Sequence, residues 1–236
     1  MKPWPTLISV SAALAFGIGA AQAGAMPSAN LSQFVNGNSY SVTVWNGNGV
    51  TKYATLSTEP TSTPFATFTY TGNINFLNNA PNNGQNTSLN TFGDFGFSMA
   101  NISNFMGNGT TETNFLATTM SLEGETYNSY LLFSGMYTGP TLYLSIGHDD
   151  GASFYEGASN TAILTDAGPT SYVTTSGWLT GGMNTPFQLT YVESNGSPAD
   201  LVANLSGPAL PEPGSLVIFG AGLLGMAWML RRRKAS

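Results

Sequence analysis

Along most of its length the chain runs in short bursts where apolar and polar positions alternate, each closed by Asn, Gly, Pro or Ser. In Tyr40-Ser41-Val42-Thr43-Val44-Trp45 the apolar residues fall mostly on alternate positions, the period of a half-buried strand. Asn46-Gly47-Asn48-Gly49 follows directly and predicts a hairpin turn. Phe65 to Phe76 spaces Phe65, Phe68, Tyr70, Ile74 and Phe76 with Thr and Asn and predicts another strand. Similar bursts at 92–97, 114–122, 129–136, 141–146, 153–155, 162–164, 172–175, 187–192 and 201–205 predict nine more. Leu77 to Asn90, Asn-rich with Pro81 and Gly84, reads as a loop. Between residues 24 and 209 no capped 3.6-residue period occurs, and Ile102 to Met106 amounts to one short helical turn. The expectation is an all-β chain, an antiparallel β-sandwich or jelly roll.

The two ends break this pattern. Lys2, an apolar stretch from Leu7 to Ala21, and Ala21-Gln22-Ala23 follow the order of a secretory signal, which predicts a signal helix in residues 1–23 with cleavage after Ala23. Near the other end stands Leu210-Pro211-Glu212-Pro213-Gly214, then an apolar run, then Arg231-Arg232-Arg233-Lys234. Gly214 to Leu230 would form a transmembrane helix about 25 Å long at ~1.5 Å per residue. That is a little short of a ~30 Å hydrocarbon core, a mismatch that slight thinning absorbs. The basic cluster would hold its end in the cytoplasm and leave residues 24–209 outside as an extracellular domain. A plain single-span anchor would share this layout. Taken together, however, Pro211, Glu212 and Pro213, the Gly- and Leu-rich span, and Arg231, Arg232 and Arg233 resemble the PEP-CTERM sorting signal over about the last 26 residues. The resemblance implies an exosortase as processing partner and delivery to the cell surface or an exopolysaccharide matrix after transient membrane anchoring. The two prolines suit such a junction, because they stop helix continuation and keep the backbone extended.

Charge narrows the function further. Residues 24–210 hold Lys52 as their one basic residue against eleven acidic ones, a net charge of about −10. A surface with one cation cannot neutralise phosphates, which excludes nucleic-acid binding and attachment to anionic headgroups. There is no cysteine, so disulfides, thiol chemistry and Cys-based metal sites are absent. Charged residues are few, but aromatic and aliphatic ones are plentiful enough for a packed core.

One stretch could carry chemistry. Leu142-Tyr-Leu-Ser-Ile-Gly-His-Asp149-Asp150-Gly151 and the strand returning to Gly157 are followed by Gly177-Trp178-Leu179-Thr180-Gly181-Gly182 and by Phe187 to Val202. From 130 to 206 this arrangement resembles the second half of a protective-antigen-type, lectin-like β-barrel domain. In lectin-like members two adjacent aspartates lie across a cis peptide and bind calcium, which holds sugar hydroxyls. The resemblance implies that role for Asp149 and Asp150, with Asn195 or Asp200 supplying further oxygens. Two adjacent carboxylates do suit a cation that wants six to eight hard oxygens. Asp-Asp-Gly is also an ordinary turn sequence.

The remaining candidates are weaker. Trp45, which ends a strand at an Asn-Gly loop, and Trp178, between glycines, are candidate sugar-stacking residues, although Trp more often packs in a core. His148, the one histidine, reads as a hydrogen-bonded surface residue, since no second ligand of its kind accompanies it. Glu123 and Glu125 read as a solvated turn around Gly124 rather than a glycosidase pair. The function expected is a non-enzymatic surface or matrix protein that engages exopolysaccharide through calcium. A purely structural matrix protein, or at the far end a secreted glycan hydrolase, is the alternative.

Overall fold

The computed structural model describes residues 29–77, 90–180 and 184–206, all within one compact unit, Met26–Pro208. The expected signal helix, the transmembrane helix at 214–230 and the sorting residues Pro211, Glu212, Pro213, Arg231, Arg232 and Arg233 lie outside the described residues. Among the described residues no helix is long and apolar enough to cross a membrane.

The strands are β1 (Ala29–Asn30), β2 (Ser39–Asn48), β3 (Ala66–Thr71), β4 (Asn75–Leu77), β5 (Ile102–Gly107), β6 (Tyr127–Tyr137), β7 (Tyr143–Asp149), β8 (Gly151–Glu156), β9 (Ala162–Asp166), β10 (Val173–Trp178), β11 (Thr185–Glu193) and β12 (Asp200–Ser206). Two short helices, α1 (Phe92–Phe95) and α2 (Glu112–Leu116), interrupt them. A seven-stranded sheet runs β5-β3-β2-β6-β11-β8-β9, and a five-stranded sheet runs β1-β12-β7-β10 with β4 also on β12. The strand pairings are antiparallel, so the fold is the expected all-β sandwich.

Several local expectations are corrected. Residues 92–97 and 114–122 each hold a single helical turn instead of a strand. Both turns are capped by a threonine: Thr91 Oγ1 accepts from Asp94 N, and Thr111 Oγ1 from Asn114 N. Such caps override a β-like composition over four or five residues. Ile102 to Met106, read as a helical turn, lies in strand β5. The Asn46–Gly49 hairpin does not form; β2 runs on to Asn48, and residues 49–65 return the chain to β3. Residues 65–76 split at Gly72 (φ 141°) into β3 and β4, which belong to different sheets.

Alternation along the strands decides which side chains meet. Val42 and Val44 of β2, Phe68 and Tyr70 of β3, Leu131 and Phe133 of β6, and Leu144 and Ile146 of β7 all point into the space between the sheets. Phenylalanine fills its middle. The Phe97 ring centroid lies 5.1 Å from that of Phe68, 5.2 Å from Phe76, 5.5 Å from Tyr70 and 5.6 Å from Phe95. A second, smaller cluster sits on the outer side of the seven-stranded sheet, where Val50, Ala54 and Leu56 cover Trp45, Tyr130, Leu132 and Val192. That second layer explains why β6 and β11 are buried on both faces.

Phe97→Ala removes a ring from the centre of this aromatic cluster and is expected to cost about 3–5 kcal/mol of unfolding free energy. Met106→Ala, at a position 70% exposed, is expected to change it by less than about 0.5 kcal/mol. Urea unfolding of the two variants followed by tryptophan fluorescence checks both values.

Candidate functional site

Three times the chain leaves one sheet for the other beside the same corner. From β7 to β8 it crosses through Asp150 alone, from β9 to β10 through residues 167–172, and from β11 to β12 through residues 194–199. The registers pin these crossovers together: Asp149 pairs with Asp200, Val173 with His148, Gly151 with Val192, and Ala152 with Asp166. A cleft of about 560 Å³ opens between the crossing segments, and Glu125, from the turn before β6, joins its wall. Gly151 is required by this convergence. A Cβ there would lie 2.3 Å from the Ala167 carbonyl oxygen, so the crossovers could not approach so closely with any side chain present.

Asp150 clasps two of the crossing segments. Its Oδ2 accepts from Ser194 N at 2.8 Å and Ser194 Oγ at 3.0 Å, and its Oδ1 from Thr170 N at 3.2 Å. The Asp149–Asp150 peptide is cis, as the family resemblance implies, and so is Ser197–Pro198. Asp149 is half-buried and borders the cleft. Burial, helped by the Asp150 and Asp200 carboxylates and opposed by the Tyr172 backbone N–H, pushes its carboxyl up to about 7. Asp150 is also raised, by burial first, against the donors from Ser194, Thr170 and Asn195.

Beneath the aspartates lies a buried acid that sequence reasoning missed. Glu193 Oε1 accepts from Ser121 Oγ at 2.9 Å, and Glu193 Oε2 lies 2.9 Å from the Tyr191 hydroxyl, which also donates to the Asp149 carbonyl oxygen. One phenol carries one proton. With that proton on the Asp149 carbonyl, the contact to Glu193 is a hydrogen bond only if the carboxyl holds its own. Burial pushes Glu193 well above the usual carboxylate range and works in the same direction. Glu193, its proton affinity raised by burial, braces Tyr191, whose hydroxyl holds the Asp149 backbone. Its position on an apolar strand beside Tyr191 and Val192 was the available signal, since a carboxyl buried on both faces needs a bonded purpose.

The candidates from sequence are distributed unevenly. Asp149, Asp150, Asn195 and Asp200 all line the one cleft, so two pairs more than 40 residues apart in sequence are brought together. Trp178 is 49% exposed, on the outer face of the five-stranded sheet. Trp45 is corrected: it is buried, edge-on to Tyr130, and its Nε1–H donates to the Ser62 carbonyl at 2.8 Å, which leaves no ring face for a sugar. His148 is also corrected. It is fully buried, with Nδ1 2.5 Å from the Asp150 carbonyl oxygen and Nε2 3.3 Å from Thr175 Oγ1. Burial lowers its pKa and keeps it neutral. Glu123 and Glu125 flank a turn at Gly124, where Glu125 Oε2 lies 2.6 Å from Lys52 Nζ. Lys52 is the one lysine or arginine among the described residues, so the cleft carries five carboxyl groups with a single amine at its rim.

The chain carries the PEP-CTERM protein-sorting motif at residues 209–234, which implies an exported, envelope-sorted protein that an exosortase processes. In its central region the chain is similar to the PA14 sugar-binding domain of an RTX adhesin, with 11% identity, a TM-score of 0.44, and coverage of 72% of this chain and 98% of that one. It is similar at 12% identity and TM-score 0.43 to the PA14 domain of the antifreeze protein MpAFP, over 74% of this chain and 93% of that one. A GH31 alpha-xylosidase from Xanthomonas citri is similar at 10% identity and TM-score 0.33, over 47% of this chain and 13% of its own. No curated protein matches the sequence.

Carboxyls whose pKa is raised on folding bind protons more tightly in the folded state, so stability falls as pH rises through the interval between the two values. For Asp149 that interval runs from about 4 to about 7, and Asp150 and Glu193 act with the same sign. In chelator, the melting temperature is expected to be higher at pH 5 than at pH 7.5, and Asp149→Asn is expected to narrow the difference. Differential scanning calorimetry at the two pH values reads both.

Proposed function

We propose that this is a surface or matrix protein that binds glycans through calcium held at Asp149 and Asp150, after its C-terminal motif has been processed by an exosortase. The observation that carries the reading is the crowding of Asp149, Asp150 and Asp200 around one cleft, where the nearby amine, Lys52, is paired with Glu125. Like charges held together raise one another's proton affinity, and a divalent cation relieves the same repulsion at neutral pH.

The donor set fits a hard cation. Among the described residues no group of three His, Cys, Asp or Glu side chains is placed to hold a metal by itself, so a cation here would need amide and carbonyl oxygens as well. Calcium takes carboxylate, amide and carbonyl oxygens together. Here Asp149 and Asp150 would provide the charge, and the side chain of Asn195, with Asp200 across the strand pair, the further oxygens. When bound, calcium supplies coordination positions that neighbouring sugar hydroxyls can fill. The protein's own work is to hold the aspartates. Ser194 and Thr170 fix Asp150, Tyr191 fixes the Asp149 carbonyl, and Glu193 and Ser121 support Tyr191 from below.

At pH 7.5, millimolar calcium is expected to raise the melting temperature relative to chelator, by mass action worth about 2.7 kcal/mol at a hundredfold excess over Kd. Asp149→Asn should abolish the rise while leaving the protein folded. Melting curves that coincide with and without calcium, together with no retention on a glycan array, would sink the reading. For sorting, replacing Pro211, Glu212 and Pro213 with alanine is expected to leave an unprocessed chain in the membrane fraction. Fractionation with mass spectrometry of the C-terminus measures this.

A further inference from the structure

The outer face of the five-stranded sheet carries a row of side chains that the calcium cleft does not use. Reading across the registers, Trp178 lies beside Tyr143 and Tyr143 beside Ser206; Ser176 lies beside Ser145 and Ser145 beside Asn204; Thr174 lies beside Gly147 and Gly147 beside Val202. The next row ends at Asp149 and Asp200, on the cleft. Two aromatic groups bracket this face. At one end the Trp178 and Tyr143 rings meet edge to face at 5.1 Å, and the Tyr143 hydroxyl bonds Ser176 Oγ at 2.7 Å. At the other, the Tyr172 ring lies over Gly147, where a Cβ would stand 2.1 Å from the Tyr172 hydroxyl oxygen. The glycine makes room for a ring on an otherwise polar surface.

We propose that this face is a track for one extended, uncharged polysaccharide strand, stacked on Trp178 and Tyr143 at one end and entering the Asp149 cleft at the other. Three features point to that occupant. The rows from Trp178 to Gly147 contain hydroxyls and an amide and no charged side chain, which matches the hydroxyl rim of a neutral sugar. Half of the Trp178 surface is open to solvent, and aromatic rings with one wet edge suit ligands that combine an apolar face with polar edges. Finally, the track points at the cleft, because β7 carries both Tyr143 and Asp149, six residues or about 20 Å apart at ~3.3 Å per residue, and the part-exposed Tyr172 between them lines the cleft itself. That length exceeds a single sugar ring. An anionic polymer would meet a body of net charge about −10, and a protein partner would want a larger apolar centre than two rings provide.

This inference rests in part on the calcium reading, and the test separates the two. Full-length chain in detergent is run by affinity electrophoresis through gels containing dextran, mannan or soluble β-glucan, with alginate as the anionic control. Isothermal titration then follows mono- to hexasaccharides of whichever neutral polymer retards it. The expected result is retardation by a neutral polymer and none by alginate, with affinity rising along the oligosaccharide series. Trp178→Ala is expected to lower long-chain affinity about tenfold and leave the monosaccharide value and the calcium-induced melting shift unchanged. Ser145→Glu, which puts a charge mid-track without touching either ring, should act likewise. Retardation by no neutral polymer, affinity flat with chain length, or unchanged long-chain affinity in both variants overturns the track. If Trp178-dependent retardation persists in chelator and in Asp149→Asn, the track stands and the calcium reading falls.

Discussion

The corner at Asp149–Gly151 is where the two sheets are tied to each other, and the rest of the site follows from it. A strand that ends in one sheet and restarts in the other after one residue fixes the relative position of both ladders. The antiparallel registers on either side then bring the segments 167–172 and 194–199 to the same place. Neither segment has a hydrophobic anchor comparable to the phenylalanine cluster. Their order comes from hydrogen bonds that converge on one carboxylate, Asp150, and from a buried relay of Tyr191, Glu193 and Ser121. Such a network is stable only when every member is satisfied.

This arrangement divides labour between adjacent residues. Asp150 is engaged by protein donors and acts mainly as a clasp, whereas Asp149 is left at the cleft with its proton affinity raised. Both carboxyls border the same cleft, one fixed by protein donors and the other open to it. The domain's scarcity of positive charge completes the picture. With Lys52 committed to Glu125, no arginine or lysine among the described residues stands ready to compensate the other acids.

Much of the fold was legible in the sequence, because two-residue periodicity survives wherever one face of a strand is buried and the other is wet. Tyr40 to Trp45 announces its strand in this way. The failures have physical causes. At 92–97 and 114–122 a threonine cap and a few backbone bonds made a helical turn from residues that would suit a strand. In the site, the two aspartates of the Asp-Asp-Gly motif border one cleft with Asn195 and Asp200, a proximity that only the strand registers create. Glu193 and the buried state of His148 were illegible, since their environments are created by strands distant in sequence. Trp45 misled for the opposite reason: its neighbours in sequence are polar, while its neighbours in space are Tyr130 and a covering loop.

The segment 167–172 is held at both ends by strand pairs, and its middle touches the clasp through one backbone amide. Side-chain exchanges at Thr170 and Ser171 need not disturb the sandwich, because, of these two, only the Thr170 backbone amide bonds the clasp. A lineage could thus retune what the molecule prefers to hold while its folding machinery stays fixed, much as a lock is rekeyed without replacing the door.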